Sequence, residues 1–210
     1  MFKVNILHGW LGVENEGVFN ENAISEIEKN AKEGDEDAKI KLAALNAEKG
    51  ENFEENFSFL ETLHAEGNEM ASLFIGVLYH EGVVEKDADG KEKVLLSENH
   101  QKSEEYLKKL DSHKWPMVAL IFGMNSYFDC CIYGRDVNFG EDPDCEKTSA
   151  EEYIEGEKRL LSLYEIAKEN KNEDWQNMAK TWLSSLYEVK GSPVYDLEKS
   201  KYWKEKECLA

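Results

Sequence analysis

The residues of this chain that could do chemistry are few and scattered. There are five histidines, His8, His64, His80, His100 and His113, and four cysteines, Cys130, Cys131, Cys145 and Cys208. A metal centre needs Cys, His or carboxylate side chains converging at ligand spacing. No HExxH and no CxxC occurs. His80 and Glu81 are adjacent, so on a helix they point about 100° apart and do not face one ion. A thiol nucleophile needs a nearby base and electropositive surroundings. The acids around Cys130, Cys131 and Cys145 disfavour the thiolate instead. Acidic residues are so frequent that no carboxylate pair stands out. No glycine-rich phosphate loop is present, neither GxGxxG nor GxxxxGK[ST]. These absences predict a protein with no catalytic residue, no metal and no cofactor, and so not an enzyme.

Charge narrows the partners. The formal net charge is -19, with 44 acids against 25 lysines and arginines. Arg135 and Arg159 are the only arginines. A field of this sign repels nucleic acid and anionic lipid, and it speeds docking of basic proteins. From Glu14 to Glu69 there are 16 acids and five lysines, so over half of the charge lies in about a quarter of the chain. Such acid reads first as solvated helix faces, and as a docking field for a basic protein in the functional reading. Apolar residues make up 41%, a globular composition. Adjacent cysteines seldom bond each other, and the cysteine pattern suits a reducing compartment. No signal peptide or apolar run of membrane-spanning length is read from the sequence. The expected location is cytoplasmic.

The elements that must carry these residues repeat. In "ASLFIGVLYHEG", Ala71, Ile75, Leu78, Tyr79 and Gly82 stand at i, i+4, i+7, i+8 and i+11, one face of a helix and its stop. "AKIKLAALNAEKG" places Ala38, Leu42, Ala43, Leu45 and Gly50 alike, and "AKTWLSSLYEVKG" places Ala179, Leu183, Ser184, Leu186, Tyr187 and Gly191 alike. "VALIFGMNSYFD" is a weaker copy with Val118, Phe122, Gly123 and a shifted Tyr127. The anchors Ala38, Ala71, Val118 and Ala179 are spaced by 33, 47 and 61 residues. The first interval matches a bare helix–turn–helix unit. The longer ones require insertions near 84–97 and 129–148. Partner helices lie between, and two of them run into glycines four residues before an alanine, Gly34 with Ala38 and Gly67 with Ala71. Ser149 and Glu152 form a capping box at another, Asp196 opens the last, and Pro116 suits the first turn of a helix.

Ala71, Ile75, Gly76, Tyr79, Gly82 and Asp87 fill the pattern A-x-x-x-L-G-x-x-Y-x-x-G…D, and the stretch resembles a Sel-one-like repeat, a short relative of the tetratricopeptide repeat. The last copy resembles it through Ala179, Leu183, Tyr187, Asp196, Lys199 and Trp203, with Ser184 for Gly and Ser200 for Ala. The resemblance covers roughly residues 18–208. It implies an all-α fold, a right-handed α/α solenoid of four or five degenerate helix–turn–helix repeats, and a role in protein interaction without chemistry. One repeat domain over 1–210 is expected, with residues 1–17 as a possible N-terminal cap or a strand-like arm.

Two candidate binding sites follow. Phe74 and Val77 lie off the Ala71–Ile75–Leu78 stripe, and Ile121, Met124 and Trp182 hold equivalent places in later copies. Such positions either pack on a neighbouring repeat or line a groove. As a groove, Phe74 and Trp182 anchor an apolar centre with acids such as Glu81 at its rim, the usual build of a binding hot spot. The second candidate is the insertion "CCIYGRDVNFGEDPDCEKTS", whose Glu141, Asp142 and Asp144 project acid towards a basic cleft, or form a tolerated loop. The expected partner is a basic protein. An acidic immunity protein neutralising a toxin, such as a basic nuclease, fits these features. A general adaptor in a signalling or secretion pathway is the other reading.

Overall fold

The computed structural model describes residues 7, 11, 14, 15, 18–86, 90–133 and 148–207, with 14, 15, 18, 19, 86 and 131–133 by backbone alone. The chain is mostly helical and divides into two compact units, Met1–Leu110 and Asp111–Ala210. The first holds α1 (Glu21–Lys32), α2 (Glu36–Glu48), α3 (Phe53–Ala65), α4 (Glu69–Glu81) and α5 (His100–Leu107). The second holds α6 (Pro116–Tyr127), a π-helical turn (Phe128–Tyr133), α7 (Ala150–Glu169), α8 (Glu173–Leu186) and α9 (Leu197–Glu205). Within each unit consecutive helices pack on one another, and the alternate helices also meet, α2 with α4 and α6 with α8. Of residues 1–17, where a cap was expected, Leu7 is buried and Glu14–Asn15 (β1) pairs antiparallel with Val18–Phe19 (β2).

The glycine–alanine spacing of four has a physical cause. Gly34 takes φ +100 after α1, its N–H bonds to the Ala31 carbonyl, and the next N–H, of Asp35, reaches back to Asn30 at 3.0 Å. This is a Schellman closure. The Asp35 side chain then accepts from the Ala38 N–H at 2.8 Å and caps α2. Gly67, Asn68 and Ala71 repeat the arrangement between α3 and α4, with Asn68 N–H to Leu63 O at 2.9 Å and Ala71 N–H to Asn68 Oδ1 at 2.9 Å. Glycine closes one helix, Asp or Asn caps the next, and alanine is its third residue. The second unit uses the same joint between α7 and α8, but Lys171 holds the positive φ, at 53, and Asn172 caps through Trp175. There α8 starts a turn earlier relative to its anchor Ala179, which helps lengthen the last interval of the repeat.

A second repeated feature is a small residue five positions after each anchor: Ala43, Gly76, Gly123 and Ser184, all buried. A Cβ on Gly76 would meet Leu107 Cδ2 at 2.5 Å, and one on Gly123 would meet Leu163 Cδ2 at 2.8 Å. These positions let α4 approach α5, and α6 approach α7, closely. The capping box of Ser149 and Glu152, the Asp196 cap of α9 and Pro116 in the first turn of α6 are all present. Gly82 closes α4 with φ 69 and ψ 167, a positive-φ stop outside the left-handed helical well. Gly191 lies beyond α8, which closes at Tyr187.

The insertion at 84–97 forms strands in an otherwise helical fold. Val83–Lys86 (β3) pairs antiparallel with Glu92–Leu96 (β4), with an irregularity between Val83 and Val84. Its β-branched residues, Val83, Val84 and Val94, are the local reason. The hairpin packs near the end of α2: a Cβ on Gly50 would stand 3.1 Å from Leu95 Cδ1.

Candidate functional site

Burial corrects the groove expectation for Phe74, Val77 and Ile121. Phe74 is 0% exposed and Val77 1%. Every residue of α4 from Ala71 to His80 is buried, so this helix is interior on all sides rather than amphipathic. Ile121 is also 0% exposed, because α6 is apolar nearly all round from Met117 to Ile121. These three side chains belong to the core and present no surface to a partner. Glu81 ends α4 half-buried. Glu141, Asp142 and Asp144 lie outside the described residues, as do Asp87 and His8. The ends of their insertion meet: the Thr148 hydroxyl donates to the Asp129 carbonyl at 2.7 Å.

Met124 and Trp182 remain half-buried, both in the second unit. The Trp182 ring stacks on Tyr127, with centroids 5.0 Å apart and planes 18° from parallel. Phe128 meets Tyr127 edge to face at 5.6 Å. Tyr127 at the end of α6, Phe128 at the start of the π-helical turn and Trp182 on α8 thus form a partly open aromatic row. The row ends where α6 loosens into its π-helical turn, a distortion that recurs at functional sites. Nearby, Phe122 lies under the Arg159 guanidinium at 4.9 Å, and Arg159 donates to Glu155 at 3.1 Å. Partial burial alone would raise the Glu155 pKa, but the hydrogen bonds and charges of Arg159 and Lys158 outweigh it and hold the carboxyl below its usual range.

The first unit offers a different surface. A cleft of about 320 Å3 opens among α1, α2 and α3, with Leu42, Ala43 and Phe59 as its apolar lining and Lys32, Lys39 and Asn56 around them. Leu42 is half-buried here, although its counterparts Ile75 and Leu183 are fully buried. Acids crowd the outer faces of the same helices: Glu26, Glu28, Glu54, Glu55, Glu61 and Glu66 are all exposed. The first unit carries 24 acids against 12 lysines and the second 20 against 13 basic residues, so the larger acid excess belongs to the unit without the aromatic row.

The remaining candidates have local roles. The buried Cys130 thiol donates to the Glu152 carbonyl at 3.1 Å and packs against Gly156. The repeat tyrosine Tyr187 donates to Glu157 at 2.7 Å, and Lys199 reaches the same carboxylate at 3.0 Å. Burial, then the hydrogen bond and charge of Glu157, push the Tyr187 hydroxyl well above its ordinary pKa. His64 bonds Ser72, His100 bonds Glu98, and His113 bonds Glu169, each at a separate place. Among the described residues no three His, Cys, Asp or Glu side chains converge as a metal site, and no helix is long and apolar enough to cross a membrane.

Sequence reasoning marked Trp182 but not its partner. Tyr127 stood out only as a tyrosine displaced from the repeat position, and that displacement is what lets it reach Trp182. Leu42 and Phe59 carried no signal, since a leucine at a core position reads as core. Comparison with protein-family models, with curated proteins and with solved structures found no match to this chain.

Proposed function

We propose that the chain is a non-enzymatic protein-binding repeat protein whose partner is basic. In this reading the helix pairs of each unit are degenerate Sel-one-like repeats wound in the right-handed sense. The observation that carries it is the partly open Trp182–Tyr127 stack on paired helices of a chain with net charge -19. Aromatic side chains that keep an open face are the usual anchors of protein interfaces. The exposed acid of α1 and α3 supplies long-range attraction for a cationic partner. An immunity protein that covers a basic toxin, such as a nuclease, combines these two requirements, and we take it as the specific form of the proposal.

The test starts from capture at low salt of a basic partner on the wild-type chain and on Trp182→Ala. The expected result is one stoichiometric basic protein, retained by the wild type and lost by the variant. Its association rate should fall steeply as salt rises, and its toxicity in cells should be suppressed by co-expression of this chain. A basic partner held equally by Trp182→Ala would remove the aromatic row from the site. A partner bound with little dependence on salt, and without toxicity, would replace the immunity reading with a general adaptor.

A further inference from the structure

The end of the second unit holds a lysine in an unusual setting. The Lys206 ammonium lies close to three rings at once, 4.6 Å from the centroid of Tyr164, 4.4 Å from Trp203 and, at the hydroxyl edge of the ring, 4.9 Å from Tyr202. The other ring-bound cations recorded among the described residues, Lys102, Lys114, Arg159 and Lys199, each face a single ring. The three rings brace one another: Tyr164 and Trp203 are T-shaped at 4.9 Å, and Tyr202 meets Trp203 at 77°. The Lys206 ammonium also donates to the Tyr202 hydroxyl at 2.8 Å. Partial burial opposes its charge, but the Tyr202 hydrogen bond and the neighbouring Tyr164, Tyr202 and Glu165 outweigh this and raise its pKa.

Ring faces are negative, and a group of them around one point selects a cation, above all an alkylammonium. We infer that Tyr164, Tyr202 and Trp203 form a cation-accepting aromatic cage, which Lys206 occupies as an internal substitute for a lysine-type side chain of a partner. Two features make the occupant exchangeable. Lys206 is the first residue past α9, with extended backbone at φ -65 and ψ 125, so withdrawing it breaks no interior turn of the helix. Tyr202 is 54% exposed, so one wall of the cage opens to solvent. The basic-partner reading enters only in naming where the incoming ammonium comes from; the cage itself stands apart from it.

The probe is the amide of Nα-acetyl-Nε-trimethyllysine, titrated into the full chain and followed by nuclear magnetic resonance. In the wild type the Lys206 side-chain protons should start upfield, shifted by the Tyr164 and Trp203 rings, and move towards free lysine values as the probe displaces them. In Lys206→Ala, and in Lys206→Gln as a bulkier neutral replacement, the probe should shift the Trp203 indole saturably. It should bind these variants about tenfold more tightly than the wild type, the scale of a cation–ring attraction no longer competed for. Adding Tyr202→Ala to Lys206→Ala should weaken it again. Lys206 resonances that stay put at high probe concentration, or equal affinity with and without Lys206, would overturn the inference and leave Lys206 as a clamp on the chain end. Because no protein partner is used, failure of the cage and failure of the basic-partner reading are separate results.

Discussion

Phe74 and Trp182 occupy the same place in their respective repeats, three residues after the anchor, and meet opposite fates. In the first unit Phe74 sits in a helix with no open side. In the second, Trp182 keeps part of its surface open and leans on Tyr127. The repeat position sets which way a side chain points from its helix. What covers that direction is set by the rest of the unit, and the two units differ there. The same contrast appears four residues after the anchor, where Leu42 is half open and Ile75 is closed. Charge is divided too: the first unit holds more of the acid, and the second holds the open aromatic row.

Substitutions can break this contrast, beginning with the largest effect. Phe74→Ala should destabilise the first unit by about 3–5 kcal/mol, the cost of deleting a buried aromatic ring. Trp182→Ala should cost far less stability and register instead in partner capture. Denaturant midpoints for both variants would measure the difference, and equal midpoints would put Trp182 in the core with Phe74.

The close helix approaches give the next step. Gly76→Ala pushes a methyl onto the branch point of the fully buried Leu107, so a loss of about 1–3 kcal/mol is expected. Gly123→Ala meets one methyl end of Leu163 at 2.8 Å. Its smaller clash is offset by the helix propensity of alanine, worth about 1 kcal/mol over glycine. Thermal melts of the pair should therefore rank Gly76→Ala clearly below Gly123→Ala.

The joints between helices should respond with opposite signs. Gly67→Ala forces a Cβ onto φ +91 and should cost about 1 kcal/mol, whereas Lys171→Gly relieves a lysine at φ 53 and should leave stability unchanged or slightly raised. Urea titrations of the two variants check this, and a destabilised Lys171→Gly would show that the lysine side chain contributes more than its backbone strain costs.

The smallest effect is one of pH. The folded state raises the Tyr187 pKa, so it retains that proton more firmly than the unfolded chain does. The stabilisation is complete below the unfolded tyrosine pKa of about 10 and is lost as pH rises beyond it. Tyr187→Phe should flatten the alkaline decline in stability, and ultraviolet titration of the wild type should show a late-ionising tyrosine that this variant lacks. A wild-type titration with all tyrosines in one step would contradict the Glu157 bond.

Much of the helical framework was legible because its signals are local. Pro116, Asp196, the Ser149–Glu152 box and the glycine–alanine spacing each depend on atoms within about one turn of chain. In the sequence the hairpin at 83–96 shows only as an insertion, since its charged residues mask the valines that pair across it. The site was the least legible part. Phe74, Val77 and Ile121 looked like groove residues because helical periodicity reports direction and not cover. Tyr127, Leu42 and the Tyr164 ring beside Lys206 gain their meaning from partners distant in sequence.

Asp35, Asn68 and Asn172 each serve two helices, closing the earlier one with a backbone N–H and opening the later one with a side chain. Neither end can fray alone without taking the joint apart. The amides on both sides of each joint should therefore exchange with solvent at matched rates. In hydrogen exchange α1 with α2, α3 with α4, and α7 with α8 should open as pairs, so the smallest cooperative piece of this protein is a joint with its two flanking helices.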